Sequence, residues 1–313
     1  MSKLRFVSAQ PAADYYSWQV EVMINNFIEM GVNPNDMDIV CWKPNGVISN
    51  EWSKLANNYP ARFFFYADMR ETKHYISSIR PNILKQHWLK YPELKEESIF
   101  YHDCDIIFTK PIQNWITDEM ITDTKWYGSD TRWYIGHDYI IGKGEDVLSE
   151  MCRITNIDRE LVKSNELNSI GAQYLMKQLD FDFWDEVERD SETLYKEITD
   201  LNNHKISLDP SHHPLQIWCA DMFAVLWNGW KRGNETICHP NFDFSWGTST
   251  EDDYHKLNIM HNAGVTNSTS GLFYKGEWID KLPYLEPLKI NEGTASKKYW
   301  EWIEKTANKS VLL

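Results

Sequence analysis

Two carboxylates, Asp103 and Asp105, stand one residue apart in FYHDCDIIFTK (100–110), where an apolar run stops and then resumes with Ile106, Ile107 and Phe108. A buried strand does not keep acids at its end unless something positive meets them there. Asp-x-Asp offers hard oxygen donors that can hold a divalent ion and leave positions open for a bridging diphosphate, as Mg²⁺ and Mn²⁺ prefer. The plain alternative is a solvated turn after a strand. Which of the two applies depends on the elements that carry the pair.

The preceding hundred residues alternate short apolar runs with longer segments of helical period. LRFVSA (4–9), DIVCW (38–42), ARFFFYA (61–67) and SIFYHD (98–103) read as strands. Asp14 to Met30 carries Trp18, Val22, Phe27 and Met30 around one helical face, with Gly31 as a stop; helices also span Glu51 to Asn58 and Ile76 to Tyr91. Such alternation predicts an α/β fold with βαβ units and a mainly parallel central sheet flanked by helices. Ligands of such sheets bind beyond the C-terminal strand ends, which is where the two acids fall.

The second half is less regular. GSDTRWYIGHDYIIG (128–142) reads as strand pairs and turns, Gly171 to Gln178 starts a helix, and WCADMFAVLWNG (218–229) is an apolar helix with one acid, Asp221. That acid either caps and pairs structurally or faces a ligand pocket. No repeat, low-complexity run or Pro/Gly-rich linker divides the chain, so 1–313 reads as one catalytic domain.

The string YHDCDIIFTKPI resembles the aromatic-x-Asp-x-Asp segment, followed by proline, of nucleotide-sugar-dependent glycosyltransferases of the GT-A fold. Short motifs in family order extend the resemblance over most of the chain, to FYKGEW. The resemblance implies a Rossmann-like GT-A domain with a nucleotide-binding half (1–110), a sugar- and acceptor-binding half (111–313) and a smaller antiparallel portion. It implies a Mn²⁺ or Mg²⁺ ion on Asp103, Asp105 and His261, the last from IMHNAGV (259–265). Lys275 and Trp278 match the family's basic residue and aromatic that close over the diphosphate.

Asp221 sits in a segment similar to that of retaining members, including plant peptidyl arabinosyl- and galactosyltransferases, where an acid reaches the transferred sugar. NSIGAQYLMK (168–177) is similar to a Gly-Gly-Ala-Gln segment, with Ile170 in place of the first glycine, and makes Gln173 a candidate sugar contact; a plain helix start is the alternative. By position in the family fold, Ser8, Ala9 and Gln10 are candidates for the nucleotide base and ribose. Tyr75, Arg80 and Lys85 follow for stacking and phosphate oxygens, against a reading in which Arg80 pairs with an acid and Tyr75 is core. Cys104, Asp130 and Gly264 complete the candidate donor contacts; Asp130 and Arg132 in GSDTRWY are also candidate sugar or acceptor contacts, with Trp133 as a stacking surface, against an ordinary strand-turn role.

Composition bounds the rest. The 313 residues, 42% hydrophobic, can bury a sizeable core, and 32 basic against 46 acidic residues give a net charge of −14. That balance argues against nonspecific nucleic-acid binding, which needs clustered Lys and Arg. Five widely spaced cysteines without a C-x-x-C pair indicate neither a disulfide framework nor zinc; they read as reduced thiols, with a cytoplasmic location expected. MSKLRFVSAQPAADYY lacks the apolar stretch of an export signal, and no run is long enough to span a membrane. EDDYH (251–255) reads as a solvated face, His212 and His213 lack partners at ligand spacing, and some of the fifteen tryptophans should line a sugar-accepting groove. No Gly-x-x-x-x-Gly-Lys, Gly-x-Gly-x-x-Gly, Gly-x-Ser-x-Gly or His-Glu-x-x-His pattern occurs.

The expectation is therefore transfer of a sugar from a nucleotide sugar, with UDP as the nucleotide and retention at C1, to a hydroxyl on a glycan, a protein or a hydroxymethylated DNA base. A metal-dependent phosphotransferase or phosphoesterase and a noncatalytic carbohydrate-binding protein are the alternatives.

Overall fold

The computed structural model describes residues 3–285 and 287–310. In chain order the first elements are β1 (Leu4–Pro11), α1 (Asp14–Glu29), β2 (Met37–Trp42), α2 (Asn50–Asn58), β3 (Arg62–Tyr66), α3 (Ile79–Lys90), β4 (Ser98–His102) and β5 (Ile106–Phe108). There follow α4 (Asp118–Thr122), β6 (Trp126–Asp130), α5 (Arg132–Ile135), α6 (His137–Ile141), α7 (Glu145–Thr155), α8 (Arg159–Ser164), β7 (Ile170–Met176) and α9 (Phe181–Leu208). The chain closes with α10 (Ala220–Lys231), β8 (Thr236–Cys238), β9 (Phe244–Trp246), α11 (Glu251–Lys256), β10 (Ile259–His261) and α12 (Ala295–Ser310). The fold is mixed α/β: a mainly parallel seven-stranded sheet, order β3-β2-β1-β4-β7-β6-β8, flanked by helices, and a small sheet, β5-β10-β9.

The chain forms two compact units, one built mainly from Asp68–Ile99 and Thr122–Pro240, the other from Leu4–Ala67, Phe100–Ile121 and Asn241 onward. In the second unit β1, β2 and β3 pair in parallel. β1 and β2 are largely buried and β3 is half-buried, and the acid on β2, Asp38, is held by Arg5 at 3.2 Å and by Arg62 at 2.6 Å. Helix α1 begins with Asp14 at its positive end and ends where Gly31 takes φ +91°, a conformation open to glycine. Its Phe27 ring stacks on Phe108 at 3.9 Å, so α1 lies against β5.

In the first unit β6 pairs antiparallel with β7 and parallel with β8. Two sequence expectations are corrected here. Segment 128–142 is not strand pairs: β6 ends at Asp130, whose carboxylate accepts from the Arg132 amide at 3.1 Å at the start of α5, and a second single-turn helix, α6, follows. Their buried residues, Tyr134, Ile135, His137 and Ile140, fall at helical spacing.

Segment 171–178 is not a helix start but strand β7. Ile170, Tyr174, Leu175 and Met176 are all buried there, and burial in a sheet overrides the helical preference of Ala, Gln, Leu and Met. A register shift at Gly128 and Ser129 accompanies Ala172 at φ +63°. The acids of EDDYH open α11, whose start is fixed by a Thr250–Asp253 capping box. Among the described residues no helix is long and apolar enough to cross a membrane, and all five cysteines are free.

Candidate functional site

The second unit carries the Asp-x-Asp pair in the three-residue connection, 103–105, that joins β4 to β5. Strand β5 is only three residues long, so its position depends on outside partners. The buried amide of Asn26 on α1 supplies them: Phe108 N–H donates to Asn26 Oδ1 at 2.7 Å, and Asn26 Nδ2 donates to the Phe108 carbonyl at 3.0 Å. On its other side β5 pairs antiparallel with β10, with Ile106 opposite His261. One step further, Asn262 N–H donates to the Asp105 carbonyl at 2.9 Å. This register, set by backbone hydrogen bonds, brings the imidazole alongside the acids.

His261 Nε2 lies 3.1 Å from Asp105 Oδ1 and 3.7 Å from Asp103 Oδ2. The indole of Trp246, on the neighbouring β9, stacks on the imidazole at 5.9 Å and 16° and limits its rotation. Lys275 Nζ donates to Asp105 Oδ2. The lysine sits on a 3-10 turn, Lys275–Trp278, that is pinned at both ends: Phe273 and Trp278 are buried in the core with Trp18 and Trp300, and Trp18 Nε1 donates to the Trp278 carbonyl at 3.4 Å.

Burial alone would raise the Asp105 carboxyl, but Lys275 and His261 beside it hold it far below the usual carboxylate range. The same contacts act in reverse on the cations. Burial would lower Lys275 and His261, yet Asp105 keeps both above their ordinary values. Burial, with Asp105 next to it, pushes the Cys104 thiol well up, so it stays a protonated thiol and not a thiolate ligand. One ligand atom from each of Asp103, Asp105 and His261 lies within 4.8 Å of the others. Two carboxylates and one imidazole are the donor set that suits Mn²⁺ or Mg²⁺, and the residues fit such an ion.

The other sequence candidates of this unit lie elsewhere in it. Ser8, Ala9 and Gln10 are buried in β1, where Gln10 Nε2 donates to the Val40 carbonyl at 3.3 Å. Gly264, at φ +85°, makes the turn after β10. Trp278 has its ring in the core, with the Lys281 ammonium 4.4 Å from its centre.

The first unit gathers a second group around Asp221, in the first turn of α10 and 6% exposed. Tyr75 Oη lies 2.7 Å from Asp221 Oδ1 and 2.6 Å from the Trp218 carbonyl, and Arg80 Nη2 donates to Asp221 Oδ2 at 2.5 Å. Burial, then the Asp221 charge, raises the Tyr75 hydroxyl well above its ordinary value, so it remains a donor. The Tyr75 ring is stacked on Tyr195 at 4.9 Å. Lys85 pairs instead with Glu188 at 2.8 Å and Asp185 at 3.0 Å on α9. Gln173 is buried on β7, and Asp130 forms a close pair with Arg132 at 2.5 Å.

Three contributors were not singled out from the sequence. Tyr15, at the start of α1, has its hydroxyl raised by burial, with the Lys275 charge opposing and the Asp105 charge adding to the rise; its place just past the first strand end was the available signal. Glu192 on α9 accepts from the His74 and Tyr75 amides at 2.7 and 3.3 Å and orients the segment that carries Tyr75. Trp246 reaches His261 only through the β9–β10 register, for which no local signal exists.

No family model matches the chain, and no curated protein matches it in sequence. Among solved structures it is similar to the bifunctional glycosyltransferase WbbM, at 11% identity and TM-score 0.49, covering 97% of this chain and 50% of that one. The chain thus spans half the length of that protein. It is also similar to the galactosyltransferase LgtC, with donor and acceptor sugar analogues (10% identity, TM-score 0.40, covering 96% and 95%). A third is the glycosyltransferase GlyE of Streptococcus pneumoniae TIGR4 (12% identity, TM-score 0.43, covering 100% and 64%). Identity this low leaves the chemistry to be read from the side chains.

Proposed function

We propose that the protein is a divalent-metal-dependent glycosyltransferase that moves a sugar from a nucleotide sugar, with UDP as the nucleotide, to a hydroxyl acceptor with retention at C1. The observation that carries this reading is the convergence of Asp103, Asp105 and His261, from distant parts of the chain, on one spot that also holds the Lys275 ammonium. The pattern of acids, imidazole and lysine is also the one that resembles the GT-A motifs in the sequence.

Asp103, Asp105 and His261 would hold the ion. A divalent cation supplies Lewis-acid stabilisation of a departing diphosphate. Lys275, kept protonated by Asp105, adds a fixed positive charge for phosphate oxygens, the preorganised electrostatic help that lowers the barrier to C1–O cleavage. In the balanced reaction the C1–O bond to the diphosphate breaks with its electron pair leaving on the nucleotide. A C1–O bond to the acceptor forms, and the hydroxyl proton is released. By the sequence resemblance Asp221, both of whose oxygens are held by Tyr75 and Arg80, is the acid proposed for the transferred sugar, with Gln173 and Asp130 for sugar hydroxyls.

The test is incubation with a panel of nucleotide sugars, with Mn²⁺ or with EDTA, followed by measurement of free nucleoside diphosphate. Release of UDP from a UDP-sugar that requires the metal and disappears in Asp103→Ala supports the reading. Release of inorganic phosphate, or sugar binding indifferent to chelator, rejects it in favour of a phosphoesterase or a lectin.

A further inference from the structure

Large aromatic rings are normally withdrawn from water, and most of the tryptophans described here are. In the first unit two are not: Trp133 is 64% exposed and Trp218 is 62% exposed. They belong to one aromatic cluster. The buried ring of Tyr134 neighbours both, with Trp133 at 4.4 Å between centroids and Trp218 nearly parallel to it at 6.5 Å and 11°. Trp133 lies in the one-turn helix α5, and Trp218 lies just before α10. The Trp218 indole is itself oriented, since its Nε1 donates to Gln216 Oε1 at 3.2 Å. Two solvent-facing indoles fixed on a common buried ring form a preorganised surface, not a pair of stray exposed side chains.

The surroundings define what such a surface takes. Preceding Trp133 in the chain are the half-exposed Asp130 carboxylate and Arg132 guanidinium, paired with each other at 2.5 Å, and the Gln216 amide is bonded to Trp218. Carboxylate, guanidinium and amide groups bordering flat apolar faces match a pyranose, which offers a C–H face for stacking and hydroxyls at its rim. Aromatic faces also stack nucleobases, but a nucleic acid needs a basic track for its phosphates. Arg132 is already paired with Asp130, and the chain carries a net charge of −14. The surface is tied to the sugar-assigned acid as well: the Trp218 carbonyl and the Asp221 carboxylate lie within hydrogen-bond distance of the same Tyr75 hydroxyl.

We infer that Trp133 and Trp218 form a carbohydrate-stacking platform, and that the acceptor of the reaction is a glycan. This inference rests on the glycosyltransferase reading for the word acceptor; the platform itself does not.

The test uses the full chain on a printed oligosaccharide array without donor or metal, with Trp133→Ala, Trp218→Ala and the two Trp→Phe variants alongside. Binding of array glycans should weaken about tenfold or more with either alanine and be largely kept with phenylalanine, which retains a stacking face. Mn²⁺ binding, measured by calorimetry, should be unchanged in all four. No binding to any oligosaccharide, or binding that both alanine variants leave intact, overturns the platform. Binding of a hydroxymethylcytosine-containing DNA or of a peptide array that depends on the same two tryptophans overturns the glycan assignment. Loss of Mn²⁺ binding in the unaltered protein would instead sink the transferase reading, so the two failures are distinguishable.

Discussion

Asp103 and Asp105 are chemically identical, yet their surroundings predict different consequences when each is changed to asparagine. Asp105 is 5% exposed and bonded to Lys275 and His261; the Asp103 side chain is 33% exposed, with His261 3.7 Å away. Removing one partner of a buried ion pair costs about 3–5 kcal/mol, because the other charge is left without compensation. Two features reduce that for Asp105→Asn: His261 can lose its proton, and the Lys275 side chain is 28% exposed and partly rehydrates. The expected loss of stability in the metal-free protein is about 2–3 kcal/mol. For Asp103→Asn it is under about 1 kcal/mol, the range of a solvent-screened pair.

Metal linkage should separate from this intrinsic effect. With Mn²⁺ at a hundred times its dissociation constant, the unaltered protein should gain about 2.7 kcal/mol, and both variants should lose that gain. Urea denaturation followed by tryptophan fluorescence, with EDTA and with Mn²⁺, measures all four quantities. Equal destabilisation by the two substitutions in EDTA, or a full Mn²⁺ gain in either variant, would refute the roles given to the two acids.

Tyr75→Phe deletes a hydroxyl donor to a buried carboxylate and should lower stability by about 1.5–3 kcal/mol, with nucleoside diphosphate release reduced in the same variant. Asp38→Ala removes the carboxylate that Arg5 on β1 and Arg62 on the edge strand β3 share and should cost about 3–5 kcal/mol in chemical denaturation. Ala172→Gly relieves a side chain held at φ +63° and should raise stability by up to about 1 kcal/mol; a loss would show that the methyl packs usefully. Asp68 would be raised by burial, but its hydrogen bonds to Arg70 and Lys73 hold it below its ordinary value. Its depressed folded-state value means stability present above the unfolded-state value near 4 and lost as the pH falls toward the folded one. Asp68→Asn should therefore flatten the acid limb of a stability-versus-pH curve.

The strand–helix alternation from Leu4 to His102 was legible in the sequence because it is a local property. A strand buried on both sides needs a continuous apolar run, and a helix on its face needs an apolar stripe, so each element declares itself within its own residues. The same holds for the acids at the end of the fourth strand. Segments whose state is decided by neighbours were not legible: β7 has helix-forming residues and is a strand because burial beside β6 requires it, and α5 and α6 are single turns too short to show a helical period of their own.

The site depends still more on tertiary structure. Motif order in the sequence could name Asp103, Asp105 and His261 together. That the imidazole stands 3.1 Å from Asp105 is decided by a three-residue pairing of β5 with β10, by Asn26 fastening β5 to α1, and by a tryptophan-rich core fixing the turn that carries Lys275. Trp133 could be singled out from the sequence, but that Trp218 also faces water while most other tryptophans fill the core could not. Register and burial are set by contacts between residues far apart in the chain, and no local period encodes them.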